Sequence, residues 1–416
     1  MINYSTHTLS NGLRIIHHHD ATTRMVALNL LYNVGSKNEL PNKTGLAHLM
    51  EHLMFAGSKN APDYDAPLQA AGGTNNAWTN EDVTNYYDIV PAQNIETAFW
   101  LESDRLLHLQ LSEENVQIQK SVVCEEFKQQ HLNQPYGDVP HLVRSLAFTS
   151  HPYHWPVIGK ELGHIENMSR DDVVDFYQKH YSASNLIMCV SGNISLDKTL
   201  ALAEKWFGDI PSRAVEKRVI TPEPPQCEYR SARIVKPCPN NMIVRAYHIP
   251  GRYTKEYKHC DLLTDVLANG NASRFYRNVL VKSGAFSVLD ASVNCLTDSS
   301  LRIVKAKLNR GVAFEKAEEL IDAELNSYFR EGSSREEIQR HVNKYITRDS
   351  YENGGYGEIA EKLCLFHSVG KVHEINTEYD DYSAITPDDV MAAARTYLTP
   401  DNCSTIFYGS ENCVAK

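Results

Sequence analysis

The sequence contains an internal repeat, because residues 168–192 align without a gap with residues 385–409 at an offset of 217 positions. In each copy, a hydroxyl residue before an acidic first turn predicts a capped helix, which a polar turn and a strand follow. The predicted caps are Ser169 and Thr386. The matched pairs of identical residues are Asp171 and Asp388, Asp172 and Asp389, Val173 and Val390, Asn185 and Asn402, and Gly192 and Gly409. A chain of 416 residues exceeds the size of one hydrophobic core, so the repeat predicts two homologous domains that arose by internal duplication.

The boundary between the two copies is predicted at a proline-rich stretch. Residues 210–226 contain four prolines and mixed charge, which is the composition of an extended linker. The predicted domains are therefore residues 1–209 and 227–416. Both contain alternating strand patterns, such as residues 85–90, and long helical patterns, such as residues 312–330, without regular βαβ spacing. The predicted fold class is α+β, with an antiparallel sheet packed with helices in each domain.

The composition excludes several classes of protein. Hydrophobic residues make up 42% of the chain and charged residues 22%, as in folded domains and unlike disordered chains. The net charge of -11 would repel a phosphate backbone and an anionic bilayer, so neither nucleic acid nor a membrane is expected as a partner. No apolar run approaches the roughly 18 residues that span a bilayer.

The predicted location is cytoplasmic. Residues 1–12 lack the basic start and apolar stretch of a signal peptide. The nine cysteines form no C-x-x-C pair, so neither a disulfide framework nor a thiolate metal site is predicted. A periplasmic protein whose leader has been removed would show the same pattern.

Residues 45–55, with the sequence GLAHLMEHLMF, predict a helix, because no Gly or Pro follows the first position. His48 and His52 are four positions apart, so both imidazoles lie on one face and can meet one zinc ion. Glu51 projects near the same face. Its carboxylate can take a proton from a water molecule that zinc has acidified to a pKa of about 7. The spacing therefore predicts a hydrolytic metal site.

A third metal ligand is expected outside this helix, because catalytic zinc usually takes three protein ligands and leaves the fourth position to water. Residues 112–132 predict a second helix, with Ser112 as its N-cap and acidic residues in its first turn. This helix contains the adjacent residues Glu125 and Glu126, and only one of them can point at the metal. Periodicity leaves the choice open, because apolar residues flank both.

The order H-x-x-E-H is that of the inverzincins. With it, the chain resembles the family of insulinase, pitrilysin and the mitochondrial processing peptidase, and in particular its short bacterial members with two homologous domains. The resemblance covers essentially the whole chain. The segments that carry it outside the metal motif are residues 8–14, 72–79, 151–159 and 185–192.

The resemblance implies a zinc peptidase and identifies the third ligand. In the family, this ligand is the second glutamate of a V-V-x-E-E run, which corresponds to Glu126, and Glu125 is its non-ligand neighbour. The family often has another glutamate seven positions before the ligand, where this chain has Gln119. The loss of that charge is expected to weaken the electrostatics of the site without removing a ligand.

The resemblance also implies that a peptide substrate binds as an added strand along a sheet edge, held through its main chain, with broad sequence tolerance. The positions that correspond to this edge are Asn76, Ala77 and Thr79. Trp78 is interpreted as a packing residue. The run of three histidines at residues 17–19 is interpreted as a solvated strand end.

The second domain departs from the family pattern. Active members carry an arginine and a tyrosine, seven residues apart, which donate hydrogen bonds to the substrate and the oxyanion. Residues 273–287 keep the rest of the family's sequence pattern, but Leu280 and Ser287 stand at the positions of the arginine and the tyrosine. Loss of one such donor can lower the rate on the order of a hundredfold.

This departure leads to three hypotheses about assembly. The preferred one is a heterodimer, in which this chain supplies zinc and a homologous non-zinc subunit supplies the arginine and tyrosine around a peptide-holding chamber. The second is a self-sufficient homodimer whose donors come from residues such as Tyr276 or Arg277. The third is a non-catalytic structural subunit, which typically has a broken zinc motif, whereas here the motif is complete.

Overall fold

The computed structural model describes residues 1–215, 219–352 and 354–410, which divide into two compact units. Unit 1 comprises the described residues of Met1–Lys128, Trp155–Val219 and Arg348–Glu378. Unit 2 comprises those of Gln129–His154, Ile220–Thr347 and Tyr379–Lys416.

The change from unit 1 to unit 2 after Val219 falls inside the predicted linker, residues 210–226, of which residues 216–218 lie outside the described part. Neither unit is one contiguous stretch. Residues 129–154 belong to unit 2 and residues 348–378 to unit 1, although the division at 1–209 and 227–416 assigns each segment to the other domain. Such exchanged segments leave no local pattern in the sequence.

The strands are β1 (Ser5–Thr8), β2 (Arg14–His19), β3 (Met25–Tyr32), β4 (Thr74–Thr79), β5 (Thr84–Pro91), β6 (Leu186–Gly192), β7 (Arg230–Val235), β8 (Met242–Pro250), β9 (Phe286–Val293), β10 (Ser299–Leu308) and β11 (Cys403–Gly409). The α-helices are α1 (Leu46–Leu53), α2 (Asp65–Ala70), α3 (Ile95–His108), α4 (Glu113–Phe127), α5 (Val139–Ala147), α6 (Leu162–Glu166), α7 (Arg170–His180), α8 (Leu196–Phe207), α9 (Lys255–Ala268), α10 (Val281–Ser283), α11 (Phe314–Glu331), α12 (Arg335–Glu352), α13 (Tyr356–Ser368), α14 (Glu378–Ser383) and α15 (Pro387–Tyr397). Short π-helical segments follow α4 (Lys128–Leu132) and precede α10 (Phe275–Leu280).

The sheet of unit 1 has the strand order β1-β2-β6-β3-β5-β4, so β4 is an edge strand. The sheet of unit 2 has the order β7-β11-β8-β10-β9. The predicted α+β class is therefore confirmed. The sheets are not wholly antiparallel, however, because β2 pairs with β6, and β7 with β11, in parallel. Long connections between the paired strands make this direction possible.

The main core of unit 1 lies between its sheet and the helices of the N-terminal half. Leu28 and Leu30 of β3 belong to one buried cluster with Leu49 and Leu53 of α1. Asn29 lies between those two leucines and, by strand alternation, faces the opposite side, where α13 contacts β3 and β6. The sheet therefore carries the predicted metal helix on one face and α13 on the other.

The duplication is visible in the local structure of both copies. Ser169 caps α7 and Thr386 caps α15, each through a capping box with the aspartate at the third helical position. Both predicted caps are thus confirmed. The strands that follow, β6 and β11, end at the two glycines that the repeat aligns.

Candidate metal centre

The helix α1 begins without a side-chain cap of its own. Its N-cap is Gly45, whose φ of 90° lies in the left-handed region that glycine tolerates best. A Cβ atom at this position would lie 2.8 Å from the carbonyl oxygen of Ile158, so a larger residue does not fit. The carboxylate of Glu39 serves as the cap instead. It accepts hydrogen bonds from the backbone N–H groups of Gly45 (3.0 Å) and Ala47 (2.8 Å).

The three predicted metal ligands lie together. His48, His52 and Glu126 each offer one ligand atom, and these atoms lie within 4.8 Å of one another. The Nε2 atoms of His48 and His52 are 3.8 Å and 3.6 Å from Oε2 of Glu126. Two helices bring them together, since α1 carries both histidines and α4 carries the glutamate.

Both histidines are held in the neutral form that binds metals. Burial, together with the neighbouring His52, lowers the pKa of His48 to about 4. Burial also lowers the pKa of His52, although Glu126 and a hydrogen bond to the Gln119 side chain act in the opposite direction. A neutral imidazole has a lone pair for a metal ion, so these shifts suit a metal site at neutral pH.

The carboxylate of Glu51 is tied to the edge strand. The hydroxyl of Thr79 donates a hydrogen bond to Oε2 of Glu51. Burial raises the pKa of Glu51, and the nearby Glu126 raises it further, whereas the hydrogen bond from Thr79 lowers it. In the described part of the chain, no hydrogen bond to Oε1 of Glu51 is present, so that oxygen remains available for a proton.

The two adjacent glutamates of α4 differ in environment. The side chain of Glu125 is 74% exposed and pairs with Lys128 at 2.8 Å, whereas that of Glu126 is 28% exposed and faces the histidines. Ser112 caps this helix by accepting a hydrogen bond from the N–H group of Asn115 (3.1 Å), as predicted. The chain stays helical to Leu132, as predicted, but residues Lys128–Leu132 form a π-helix instead of a continuation of the α-helix.

The three predicted substrate positions lie on β4, the edge of the sheet. The N–H group of Ala77 donates to the side-chain oxygen of Asn76 at 2.9 Å and therefore points away from β5. By alternation, Thr79 has the same backbone orientation as Ala77. Trp78 is partly buried, and its indole N–H donates to Glu361 of α13 at 3.3 Å, in agreement with a packing role.

The interpretation of residues 17–19 as a solvated strand end holds for His19, which is exposed at the last position of β2, and is wrong for His17. The three histidines lie within β2, and His17 is buried. His17 and His19 both contact the carbonyl oxygen of Ile194, and His18 contacts the hydroxyl of Ser191. Parallel pairing with β6 accounts for this, because it places an interior strand beside the histidines.

A second buried network lies close to the end of α1 and was not predicted. Tyr64 donates a hydrogen bond to Asp88 at 3.0 Å, and Arg105 pairs with Glu102. The guanidinium of Arg105 also stacks on the ring of Phe55, which follows the helix, at 5.1 Å. Glu39 was missed as well, because its contact with α1 follows no helical or strand period.

The family carries an arginine and a tyrosine at two positions of unit 2, and in this chain the side chains at those positions make contacts within the unit. Leu280 packs against the hydrophobic core of that unit, and the exposed Ser287 donates to the carbonyl oxygen of Lys307 at 3.3 Å. Arg277 is half exposed and lies 3.9 Å from Glu337.

Two family models match the chain. The model described as insulinase (peptidase family M16) covers residues 14–161, which include the metal motif. The model described as peptidase M16 inactive domain covers residues 167–345. The chain belongs to the insulinase (M16) family. The second match agrees with the lack of a metal motif in the second half of this M16 chain.

Curated relatives extend the similarity over nearly the full length of the M16 chain. It is 28% identical over 412 residues to the zinc protease PqqE of Helicobacter pylori. The aligned region covers 96% of this chain and 91% of the relative. It is 23% identical over 420 residues to the uncharacterized zinc protease YmxG of Bacillus subtilis, with 98% of both chains covered.

Solved structures share the fold. A protease from Helicobacter pylori superposes with a TM-score of 0.93 at 24% identity, over 98% of this chain and 100% of the other. A peptidase M16 inactive domain from Pseudomonas fluorescens gives a TM-score of 0.86 at 16% identity, over 98% of both chains. Among the described helices of this M16 chain, none is both long enough and apolar enough to cross a bilayer.

Proposed function

We propose that this chain is a zinc-dependent endopeptidase. The observation that carries the proposal is the convergence of His48, His52 and Glu126 within 4.8 Å, beside a glutamate that is anchored to a free sheet edge. Membership of a family whose curated members include zinc proteases supports the same reaction.

The donor set fits zinc. Two imidazole nitrogens and one carboxylate oxygen suit a tetrahedral zinc site with one open position. Ligand atoms of such a site lie about 3.3 Å apart, given bonds of about 2.0 Å. The separations of 3.6 and 3.8 Å between the imidazoles and Glu126 are close to this value. When bound there, zinc acidifies a water molecule and polarises the carbonyl group of a substrate.

Glu51 then acts as the general base. Thr79 occupies Oε2, so Oε1 is the atom that accepts a proton from the attacking water and later passes it to the leaving amine. The burial that raises the pKa of Glu51 makes the carboxylate a stronger base, which favours uptake of the proton from the water molecule. Because Thr79 lies on β4, the same hydrogen bond sets the base at a fixed distance from any peptide that pairs with the edge.

The substrate is proposed to bind along β4 as an added antiparallel or parallel strand. Main-chain groups of Ala77 and Thr79 that point away from β5 are available for pairing, once Asn76 releases the N–H group of Ala77. Recognition through the main chain predicts tolerance of many sequences. Peptide is the proposed substrate class. The net charge of -11 argues against nucleic acid and membrane partners. A cytoplasmic location remains a prediction from the sequence.

A heterodimer is proposed as the active form. The side chain of Leu280 has no hydrogen-bond donor, and the hydroxyl of Ser287 donates to the carbonyl oxygen of Lys307, so a homologous non-zinc subunit is expected to provide the donors that an arginine and a tyrosine would supply. The second candidate is a homodimer that uses its own Tyr276 or Arg277. The third is a non-catalytic subunit, which the name of the family model over residues 167–345 brings into consideration.

One experiment separates these forms. The zinc-loaded chain is incubated with a quenched fluorescent peptide library, alone and with any homologue from the same operon. Hydrolysis only in the mixture supports the heterodimer, and chelator-sensitive hydrolysis by the chain alone supports the homodimer. Absence of hydrolysis in both, with zinc bound, would overturn the proposed peptidase function.

A further inference from the structure

The N-terminus of α1 is hydrogen-bonded to one buried carboxylate. Glu39 is 1% exposed, and its two carboxylate oxygens take different partners. Oε1 accepts from the N–H group of Ala47, and Oε2 accepts from the N–H group of Gly45 and from the indole N–H of Trp155 at 3.0 Å. The backbone of Leu46 also contributes a hydrogen bond. The carboxylate thus accepts hydrogen bonds from the N-cap and from the first two residues of the helix.

Burial and hydrogen bonding act on this carboxylate in opposite directions. The pKa of Glu39 is raised to about 8, because burial outweighs the opposing effect of its N–H donors. The N–H donors of Gly45, Ala47 and Trp155 and the positive end of the helix dipole lie beside the carboxylate, and they stabilise its charged form. A glutamine at this position would direct an NH2 group at one of the N–H donors and lose at least one of the hydrogen bonds.

The ring of the proposed metal ligand His48 is edge-on to that of His52, but one of its nitrogens is not fixed by a hydrogen bond. Nδ1 of His48 is buried, and no hydrogen-bond partner for it is present in the described part of the chain. A metal-ligating histidine usually donates its second ring nitrogen to an acceptor that fixes the ring. The orientation of His48 therefore depends on the helix backbone, and Ala47, the residue before it, is bonded to Glu39.

We infer that Glu39 is a positioning residue for the metal ligands, which holds α1 so that His48 meets the metal in the correct direction. Trp155 completes the arrangement, because its indole N–H donates both to Oε2 of Glu39 and, at 3.3 Å, to the carbonyl oxygen of Ser36. The inference rests on the proposed zinc site and adds a residue that contacts neither metal nor substrate.

The test is a measurement of zinc affinity by competition with a chromophoric chelator, together with the absorption spectrum of the cobalt-substituted protein. In Glu39→Gln, the Kd for zinc is expected to rise about tenfold to a hundredfold, with a changed cobalt spectrum. Trp155→Phe keeps the carboxylate and removes one of its donors. This variant is expected to raise the zinc Kd and to change the cobalt spectrum, each by less than Glu39→Gln does. If Glu39→Gln does not fold, Trp155→Phe carries the test.

The matched control is Asn11→Ala. Asn11 is a buried polar residue of unit 1 that donates to the carbonyl oxygens of Phe207 and Ile210, away from α1. The Asn11→Ala substitution is expected to lower the melting temperature without changing the zinc Kd or the cobalt spectrum. An unchanged Kd and spectrum in folded Glu39→Gln or Trp155→Phe would overturn the role of Glu39. Failure of the wild-type chain to bind zinc would instead overturn the proposed function.

Discussion

The hydroxyl of Thr79 donates a hydrogen bond to the carboxylate of Glu51, and so joins the edge strand β4 to the metal helix α1. One residue thus orients the proposed general base and belongs to the strand along which the substrate is proposed to lie. Substrate alignment and proton transfer are therefore expected to depend on the same contact.

Loss of the Thr79 hydroxyl is expected to lower kcat more than it raises KM. In Thr79→Val, the Glu51 carboxylate loses its anchor, and we expect a fall in kcat of about tenfold to a hundredfold from the loss of a hydrogen bond to a charged group. Steady-state kinetics on one fluorescent peptide checks this. Thr79→Ser, which keeps the hydroxyl, should retain most of the activity. Equal rates in all three proteins would show that the contact has no part in catalysis.

Glu51→Gln is expected to bind zinc and to lack activity, because an amide cannot accept the proton. The fall in kcat should be about a hundredfold or more, as for loss of a general base. His52→Ala should lose both zinc and activity. Metal content after dialysis and peptide hydrolysis are the two measurements. Retained activity in Glu51→Gln would remove this residue from the mechanism.

Gln119→Glu is expected to tighten zinc binding. The Gln119 side chain is hydrogen-bonded to the His52 ring, so a carboxylate there would add negative charge beside a metal ligand. A decrease in the zinc Kd of about tenfold is expected in the chelator competition assay. Glu125→Gln, at an exposed position on the same helix, serves as the control and should leave the Kd unchanged. A higher zinc Kd in Gln119→Glu than in the wild-type chain would contradict this account of the site.

Ala77→Pro tests the sheet edge. The N–H group of Ala77 points away from β5, so proline removes a donor that is proposed to pair with substrate, while the ladder to β5 is spared. We expect kcat/KM to fall about tenfold or more, with zinc content unchanged, because a main-chain hydrogen bond to the added strand is lost. Ala77→Ser keeps the N–H group and is the control. Unchanged kinetics in the proline variant would place the substrate elsewhere.

Unit 1 is expected to lose stability in acid because of His180. Burial lowers its pKa to about 4 from an unfolded value of about 6.5. Between these values the unfolded chain binds a proton that the folded chain does not, so stability falls as the pH falls. His180→Gln should recover about 2 kcal/mol of the loss between pH 7 and pH 4.5.

Urea unfolding followed by tryptophan fluorescence checks this prediction, because all four tryptophans lie in unit 1: Trp78, Trp100, Trp155 and Trp206. The measurements are made with chelator, so that metal binding does not contribute. His373→Gln, which removes an exposed histidine, is the control. Parallel pH dependences of wild type and His180→Gln would show that His180 is not responsible.

The local features of the fold could be predicted from the sequence. Helical spacing placed His48, Glu51 and His52 on one face, and the caps at Ser169 and Thr386 were visible from the hydroxyl residues before acidic turns. Each of these features depends on residues within one or two turns, which is the range over which sequence patterns act.

The features that were not predicted depend on distant contacts. Glu39 reaches α1 from a preceding turn, and Trp155 reaches Glu39 from more than one hundred positions away. Residues 129–154 and 348–378 pack in units other than those predicted from chain order. The choice of Glu126 over Glu125 came from the family resemblance, since apolar residues flank both, and the exposure of the two side chains became evident only in the folded chain.

The most direct test of the proposed function is hydrolysis of a quenched fluorescent peptide library by the zinc-loaded wild-type chain and by Glu51→Gln, with and without the homologous subunit and chelator. We predict hydrolysis by the wild-type protein that chelator abolishes and added zinc restores, and none by Glu51→Gln at equal zinc content. Absence of hydrolysis by the zinc-loaded wild-type chain in every combination, or chelator-insensitive hydrolysis, would contradict the account.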